Sequence, residues 1–231
     1  MVIKKQFIPK ERTKQRPGIK LYPEYITIHS TGNACSTAQN EADFVCYNSK
    51  RKASFHFVCD EKEVIQVLPE NEVAFHAGDG KNGTGNRKSL AIEICESGDR
   101  KKAVDNAVML TREIMKKYHI PLGKVVTHYH WTKKNCPRIL IDKSFVKNGI
   151  DWDYFTNRLK EKEIVKVADI VYNTFEEVPE YWRKQIKWCY EKGIFNGTAS
   201  GKLDLDRHDC KALVFLYNYH HNVKEGSNNG E

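Results

Sequence analysis

The chain has 231 residues, a net charge of +8, 40% hydrophobic residues and seven cysteines. That length allows one or two domains and the apolar fraction suffices for a packed core, but no stretch approaches the roughly 18 consecutive apolar residues of a membrane-spanning helix. An odd number of irregularly spaced cysteines excludes a regular disulfide framework. The charge is uneven: residues 1–160 hold 28 Lys and Arg against 18 Asp and Glu, whereas residues 161–231 hold 10 against 12. A basic first part is drawn to polyanions, yet no recognition helix, zinc-finger spacing or RNA-binding aromatic motif makes nucleic acid a specific partner.

In chain order, the N-terminus Met1-Val-Ile-Lys-Lys5 lacks the apolar core and cleavage site of a secretion signal, so synthesis in the cytoplasm is expected. A strand ends at His29 in Tyr25-Ile-Thr-Ile-His29-Ser-Thr-Gly32, and a helix follows near Ala38 to Lys50. Strands come near Ser54 to Cys59, Glu63 to Leu68 and Leu90 to Cys95. A helix from about Lys101 to Tyr118 has Val104, Val108, Leu110, Ile114 and Met115 on one face, and Pro121 stops it. A short strand, Val125 to Thr127, precedes His128, and Asp151 to Lys162 suits a last helix. The order predicts an α/β unit with a mixed central sheet flanked by helices. The run Gly80-Lys-Asn-Gly-Thr-Gly85 is no phosphate loop, because Asn86-Arg87 stands where Lys-Ser/Thr is needed.

The chemistry concentrates in His128-Tyr-His130-Trp-Thr-Lys-Lys134-Asn-Cys136-Pro137, which combines imidazole, amine and thiol without any CxxC pair. Zinc takes imidazole nitrogen and thiolate sulfur, and a catalytic site keeps three protein ligands and one open position. Cys136 and a histidine of this segment supply two, and His29 at its strand end is the candidate third. Residues two apart on a strand share a face, so His128 and His130 both remain in reach.

These motifs carry a resemblance. Ile26-Thr-Ile-His29-Ser30, Ser54-Phe-His-Phe57, Phe75-His-Ala-Gly-Asp-Gly80, Gly85-Asn-Arg87, Ala91-Ile-Glu93-Ile94 and His128 through Pro137 fall in the order seen in type 2 zinc-dependent N-acetylmuramoyl-L-alanine amidases. The chain most resembles lytic enzymes of phages and prophages of Gram-positive bacteria, from about Phe7 to about Ile141. The resemblance implies His29, His128 and Cys136 as zinc ligands, Glu93 as general acid/base and Lys134 as the cation beside the developing oxyanion. It implies His76 lining the groove and bacterial peptidoglycan as substrate. Action on the cell wall would follow release by lysis or through a separate pore. Asn86, with Arg87, is a candidate hydrogen-bond partner for glycan or stem peptide, or else a turn former. One departure concerns Phe55: some relatives use a tyrosine there, and Phe55 has no hydroxyl, which shifts the acid/base role to Glu93. His56 reads as an interior imidazole. A non-cutting peptidoglycan-recognition module and a zinc peptidase acting within the stem peptide are the alternatives.

From about Val165 the chain reads as another unit, entered through Lys160-Glu-Lys-Glu163. Pro179 to Trp188 sets Trp182, Ile186, Cys189 and Tyr190 on a helical face that Gly193 ends, and Leu203 to Arg207 begins a second helix. The pattern over Thr174 to Tyr219 is similar to a single S-layer homology motif, a module that binds secondary wall polymers. One copy is small for a core, so self-association into a homo-oligomer or docking on the first domain is expected, with a small helical appendage for stability or dimerisation as the equal alternative. Asp204, Asp206 and Asp209 lack calcium-loop spacing and suit caps. The expected domains are 1–162 (amidase), 163–223 (small, mostly helical) and 224–231 (flexible tail). Five cysteines, Cys46, Cys59, Cys95, Cys189 and Cys210, read as small buried hydrophobes.

Overall fold

The structure, a computed structural model, describes residues 2–161 and 171–226. The chain divides into two compact units, Met1–Lys162 and Glu163–Glu231.

The first unit is built on a six-stranded sheet of β1 (Ile3–Lys5), β2 (Tyr25–Ser30), β3 (Phe57–Cys59), β4 (Val64–Gln66), β5 (Ser89–Ile94) and β6 (Val125–Thr127). The strand order is β1-β4-β3-β5-β2-β6. Within it β3 and β4 pair antiparallel and the other neighbours pair parallel. The helices are α1 (Ala38–Asp43), α2 (Thr84–Lys88), α3 (Arg100–Tyr118), α4 (His128–Thr132), α5 (Arg138–Ile141) and α6 (Trp152–Lys160). This is the mixed sheet flanked by helices that the sequence predicts.

The central strands β2 and β5 are covered on both faces, which is why they read as near-continuous apolar runs. Ile26, Ile28, Leu90, Ile92 and Ile94 pack with Val104, Ala107, Val108, Leu110 and Ile114 of α3 and with Phe155 and Leu159 of α6. A second cluster joins Val58, Ile65, Val67 and Ala91 to Ala38, Ala42 and Val45. Each such buried Val, Leu or Ile stabilises the fold by roughly 1.5–3 kcal/mol. Asp99 caps α3 by accepting from the Lys102 N–H, and left-handed His119 (φ 54°) ends it two residues before Pro121.

The helix expected through Lys50 is shorter. After α1 the chain widens into a π-helical turn, Phe44–Asn48, closed by Ser49 N–H to the Phe44 carbonyl at 2.7 Å. The wide turn buries Val45 and Cys46 together and leaves Phe44 and Tyr47 outside.

The second unit contains α7 (Glu180–Glu191) and α8 (Arg207–Gly226) around Tyr172, Val178, Ile186, Cys189, Leu203, Leu205, Cys210 and Leu213. Gly193 (φ 67°) ends α7, with Ile194 N–H bonded to the Cys189 carbonyl at 3.0 Å. The expectation that Leu203 starts the second helix needs correction. Leu203 and Leu205 are buried at period two, and Leu205 exchanges backbone hydrogen bonds with Tyr172 at 2.8 and 3.2 Å. The helix begins only at Arg207, where Asp206 and Asp209 each accept from the other's backbone N–H at 2.8 and 3.0 Å. Of the charged run 160–163, Lys160 closes α6 and 162–163 lie outside the described residues. Of the expected tail 224–231, residues 224–226 continue α8 and 227–231 lie outside the described residues. Among the described residues no helix is long and apolar enough to cross a membrane.

Candidate metal centre

Three adjacent parallel strands end together, and their carboxyl ends are where an open α/β sheet presents ligand-binding groups. His29 in β2 pairs in register with Glu93 in β5, and Ile28 pairs with Thr127, the last residue of β6. His128 follows directly. Thr127 is still extended (ψ 161°), but the chain then turns into α4, which left-handed Lys133 (φ 61°) terminates. The returning segment is held by Tyr129 N–H donating to the Cys136 carbonyl at 3.0 Å, which brings Cys136 to the two histidines.

The choice between His128 and His130 follows from this turn. The alternation argument fails because the strand ends at Thr127. His130 is exposed and its ring packs edge-on against Trp131, with centroids 4.7 Å apart.

One ligand atom each from His29, His128 and Cys136 lies within 4.8 Å of the others, and all three residues are buried. The Nδ1 atoms of His29 and His128 are 3.1 Å apart, and Cys136 Sγ is 3.7 Å from His29 Nδ1. Tetrahedral ligands at about 2.05 Å for nitrogen and 2.3 Å for sulfur stand about 3.3 Å (N···N) and 3.6 Å (N···S) apart, so the two edges at His29 fit a transition metal. Burial foremost, then His76, His128 and Lys134, holds His29 well below 6.5. Burial and then Lys134 lower His128 to about 4. Both rings are therefore neutral, with lone pairs to offer. Burial first, and Glu93 next, push the Cys136 thiol up to about 12, so a bound cation is what would make it a thiolate.

Glu93 Oε1 is 4.0 Å from His29 Nδ1, and its Oε2 is buried without a hydrogen-bond partner. Buried carboxylate oxygens are normally satisfied, so this one marks a place for a group beside the triangle. Burial, then Glu41, raises Glu93 to about 8 against the opposing pull of Lys134. These side chains line a cavity with Phe55, Arg51 and Lys134. An adjoining groove is lined by Lys52, Phe75, His76, Lys81, His128 and Lys134, and among the described residues none of those lining it is a carboxylate. Lys52 lies over the Phe75 ring at 4.9 Å. Sequence reading passed over Lys52 and Lys81, because loop lysines carry no local signal of a shared groove.

The other candidates separate. His56 is interior as expected: Nε2 meets the Glu72 carbonyl at 2.8 Å, Nδ1 accepts from Ala91 N–H at 2.9 Å, and burial foremost lowers it to about 4. His76 lines the groove, and its Nδ1 lies 3.0 Å from His29 Nε2. Asn86 also borders the groove, but its carboxamide is turned to the neighbouring loop. Its Oδ1 accepts from His76 and Ala77 N–H at 2.7 and 2.8 Å, and its Nδ2 donates to the Gly80 carbonyl at 2.9 Å. Both ends of the carboxamide thus clamp the loop, while Asn86 still borders the groove. Asp79 completes the clamp by accepting from Gly85 and Asn86 N–H at 2.6 and 3.2 Å.

Comparison with known proteins bears on this arrangement. The family model described as N-acetylmuramoyl-L-alanine amidase matches residues 19–139, more than half of the chain. The chain belongs to the N-acetylmuramoyl-L-alanine amidase family. The amidase CwlH of Bacillus subtilis is 48% identical over 156 residues, covering 65% of this chain and 61% of CwlH. The amidase XlyA of the same species is 43% identical, covering 64% of this chain and 48% of XlyA. The match therefore spans about half to three-fifths of those relatives. CwlA of a Bacillus species is 38% identical over 78% of this chain and 74% of its own. Among solved structures, the catalytic domain of XlyA superposes with a TM-score of 0.62 at 40% identity, over 69% of this chain and 99% of that one. PlyL gives 0.61 at 34% identity, over 69% and 98%. The family match contains His29, Glu93, His128, Lys134 and Cys136.

Proposed function

We propose that this chain is a zinc-dependent peptidoglycan hydrolase that cuts the amide between the lactyl group of N-acetylmuramic acid and the L-alanine of the stem peptide. The observation that carries the reading is the buried His29, His128 and Cys136 triangle beside the partnerless Oε2 of Glu93. Two imidazoles and one thiol suit zinc and leave a position open. When bound, zinc polarises the scissile carbonyl and lowers the pKa of water toward about 7. Glu93 takes the proton of the attacking water and returns it to the leaving amine. Burial raises its pKa, which favours keeping that proton until it is returned to the amine. Lys134, exposed on the cavity rim, stabilises the oxygen that gains negative charge, a type of help worth roughly 3 kcal/mol per donor. Phe55 has no proton to give and packs the cavity wall.

Lys52 and Lys81, with no acid among the described residues that line the groove, favour a substrate that carries carboxylates, as a stem peptide does. His76 and Asn86 shape that groove through the 76–80 loop. The second unit is read as a wall-attachment or self-association module. Its exposed Phe215 and Tyr219, stacked with centroids 6.5 Å apart, support that reading, since exposed apolar patches mark binding surfaces. Action at the wall of a Gram-positive cell, as a phage lysin or resident autolysin, completes the proposal.

The test is mass spectrometry of products from purified Gram-positive peptidoglycan, with native chain, Glu93→Ala and a chelated sample. Intact glycan strands and new N-terminal L-alanine, absent from both controls, support the proposal. Cuts inside the stem would make the chain a peptidase, and tight binding without products would make it a recognition module.

A further inference from the structure

A histidine bound through one ring nitrogen must carry its hydrogen on the other, and whatever accepts that hydrogen fixes both the tautomer and the plane of the ring. His29 faces the ligand triangle with Nδ1. Its Nε2 points away from the triangle, at His76 Nδ1, 3.0 Å off. The two rings meet nearly edge to face, with an interplanar angle of 87° and centroids 5.1 Å apart.

Which of the two carries the shared hydrogen depends on the far side of His76. There His76 Nε2 faces the Ser89 carbonyl at 3.4 Å and the Ser89 hydroxyl at 3.3 Å. A hydroxyl adapts to either role, but a carbonyl only accepts. His76 therefore holds its hydrogen on Nε2 and offers a lone pair at Nδ1. His29 donates its Nε2–H into that lone pair, which leaves His29 Nδ1 unprotonated toward the triangle.

His76 is itself fixed through its backbone, because its N–H is bound by Asn86 Oδ1 at 2.7 Å. The polarity of the chain is thus set by Ser89 and the position of His76 by Asn86. Nothing in the sequence links residues 29, 76 and 89, which the fold alone brings together.

We propose that His76 is a positioning residue: it selects the Nε2–H tautomer of His29 and so prepares His29 Nδ1 to bind the metal. The inference rests on the metal-centre reading above. An imidazole in this place orients the ligand without adding a negative charge, so the charge of a bound dication is offset by the Cys136 thiolate and not by a further carboxylate on the far side of His29. His76 thereby acts through His29 and not on substrate, although it borders the groove.

The experiment uses the full chain stripped of metal, with His76→Asn and His76→Leu beside the parent. Asn can place an acceptor oxygen where Nδ1 stood, and Leu cannot. Zinc affinity is read by competition with a chromophoric chelator, and the His29 tautomer by long-range proton–nitrogen NMR of the metal-free chain. The expected result is a zinc Kd weakened about 10–100-fold in His76→Leu, with most of the affinity kept in His76→Asn and an Nε2–H tautomer at His29 in the parent. An Nδ1–H tautomer at His29 in the parent overturns the inference, and the parent spectrum decides this even if His76→Leu does not fold. A His76→Leu chain that binds zinc as tightly as the parent also overturns it while leaving the metal centre standing. A parent that binds no zinc removes the metal-centre reading itself.

Discussion

Replacing Asn86 by Ala separates a residue that touches substrate from one that holds the site together. Asn86 is 3% exposed, and its side chain makes three hydrogen bonds to the 76–80 loop. Truncation strands the N–H of Ala77, which is buried, and that of His76, which is only partly so, whereas the exposed Gly80 carbonyl keeps the Gly83 N–H at 3.2 Å. A stranded buried donor costs about 1–3 kcal/mol, and water entering from the groove can meet the His76 N–H. The net loss is about 2–4 kcal/mol. For a unit of this size that is a drop in Tm of roughly 5–15 °C, measured by calorimetry on the metal-free chain. Zinc affinity falls with it, because the loop that carries His76 loosens. A change below about 2 °C, with intact zinc affinity and a raised KM on peptidoglycan, would refute the clamp and restore Asn86 as a substrate ligand.

Further outcomes follow from the same geometry. Glu93→Gln keeps the shape of the side chain but removes its base, so kcat falls about 10²–10⁴-fold while zinc content measured by atomic emission stays at the parent level; an unchanged kcat would exclude Glu93 from proton transfer. A Cβ at Gly85 would stand 2.5 Å from Ala77 Cβ and 2.8 Å from Trp131 Cδ2, so Gly85→Ala is expected to destabilise by about 1–3 kcal/mol in denaturant unfolding. Changing both Lys52 and Lys81 to Gln is expected to raise KM and flatten its salt dependence without altering kcat. The pH dependence of stability has Glu72 among its contributors. The Arg16 guanidinium, bonded to Glu72 at 2.6 and 2.7 Å, holds that carboxyl below its ordinary value of 4.5. A depressed folded pKa contributes stability that is present above the unfolded value and lost as pH falls through the folded one. The stability gap between parent and Glu72→Gln is therefore expected to be constant at neutral pH and to close only below about pH 4.

The sheet and its central residues were legible because strands such as Ile26-Thr-Ile and Leu90-Ala-Ile are near-continuous apolar runs, and ordered motifs pointed to His29, His128 and Cys136, which the fold brings together. The segment after Thr127 was not legible in its local shape: a strand extended to His130 and a turn into α4 look alike until Lys133 is seen in the left-handed region. Leu203 and Leu205 were misread as a helix start because a two-residue apolar alternation is too short to tell from helical spacing. The roles of His76 and Asn86 lay deeper, since both depend on contacts between residues 29, 76, 86 and 89 that only the folded loop creates. The helical unit's exposed aromatics were visible as residues but not as surface.

The most direct measurement is zinc stoichiometry combined with X-ray absorption at the zinc edge on the full chain. The expected result is one zinc per chain with one sulfur at about 2.3 Å and two imidazole nitrogens at about 2.0–2.1 Å, the sulfur lost in Cys136→Ser. A shell without sulfur, or a chain that carries no zinc after purification in its presence, would contradict the centre built from His29, His128 and Cys136.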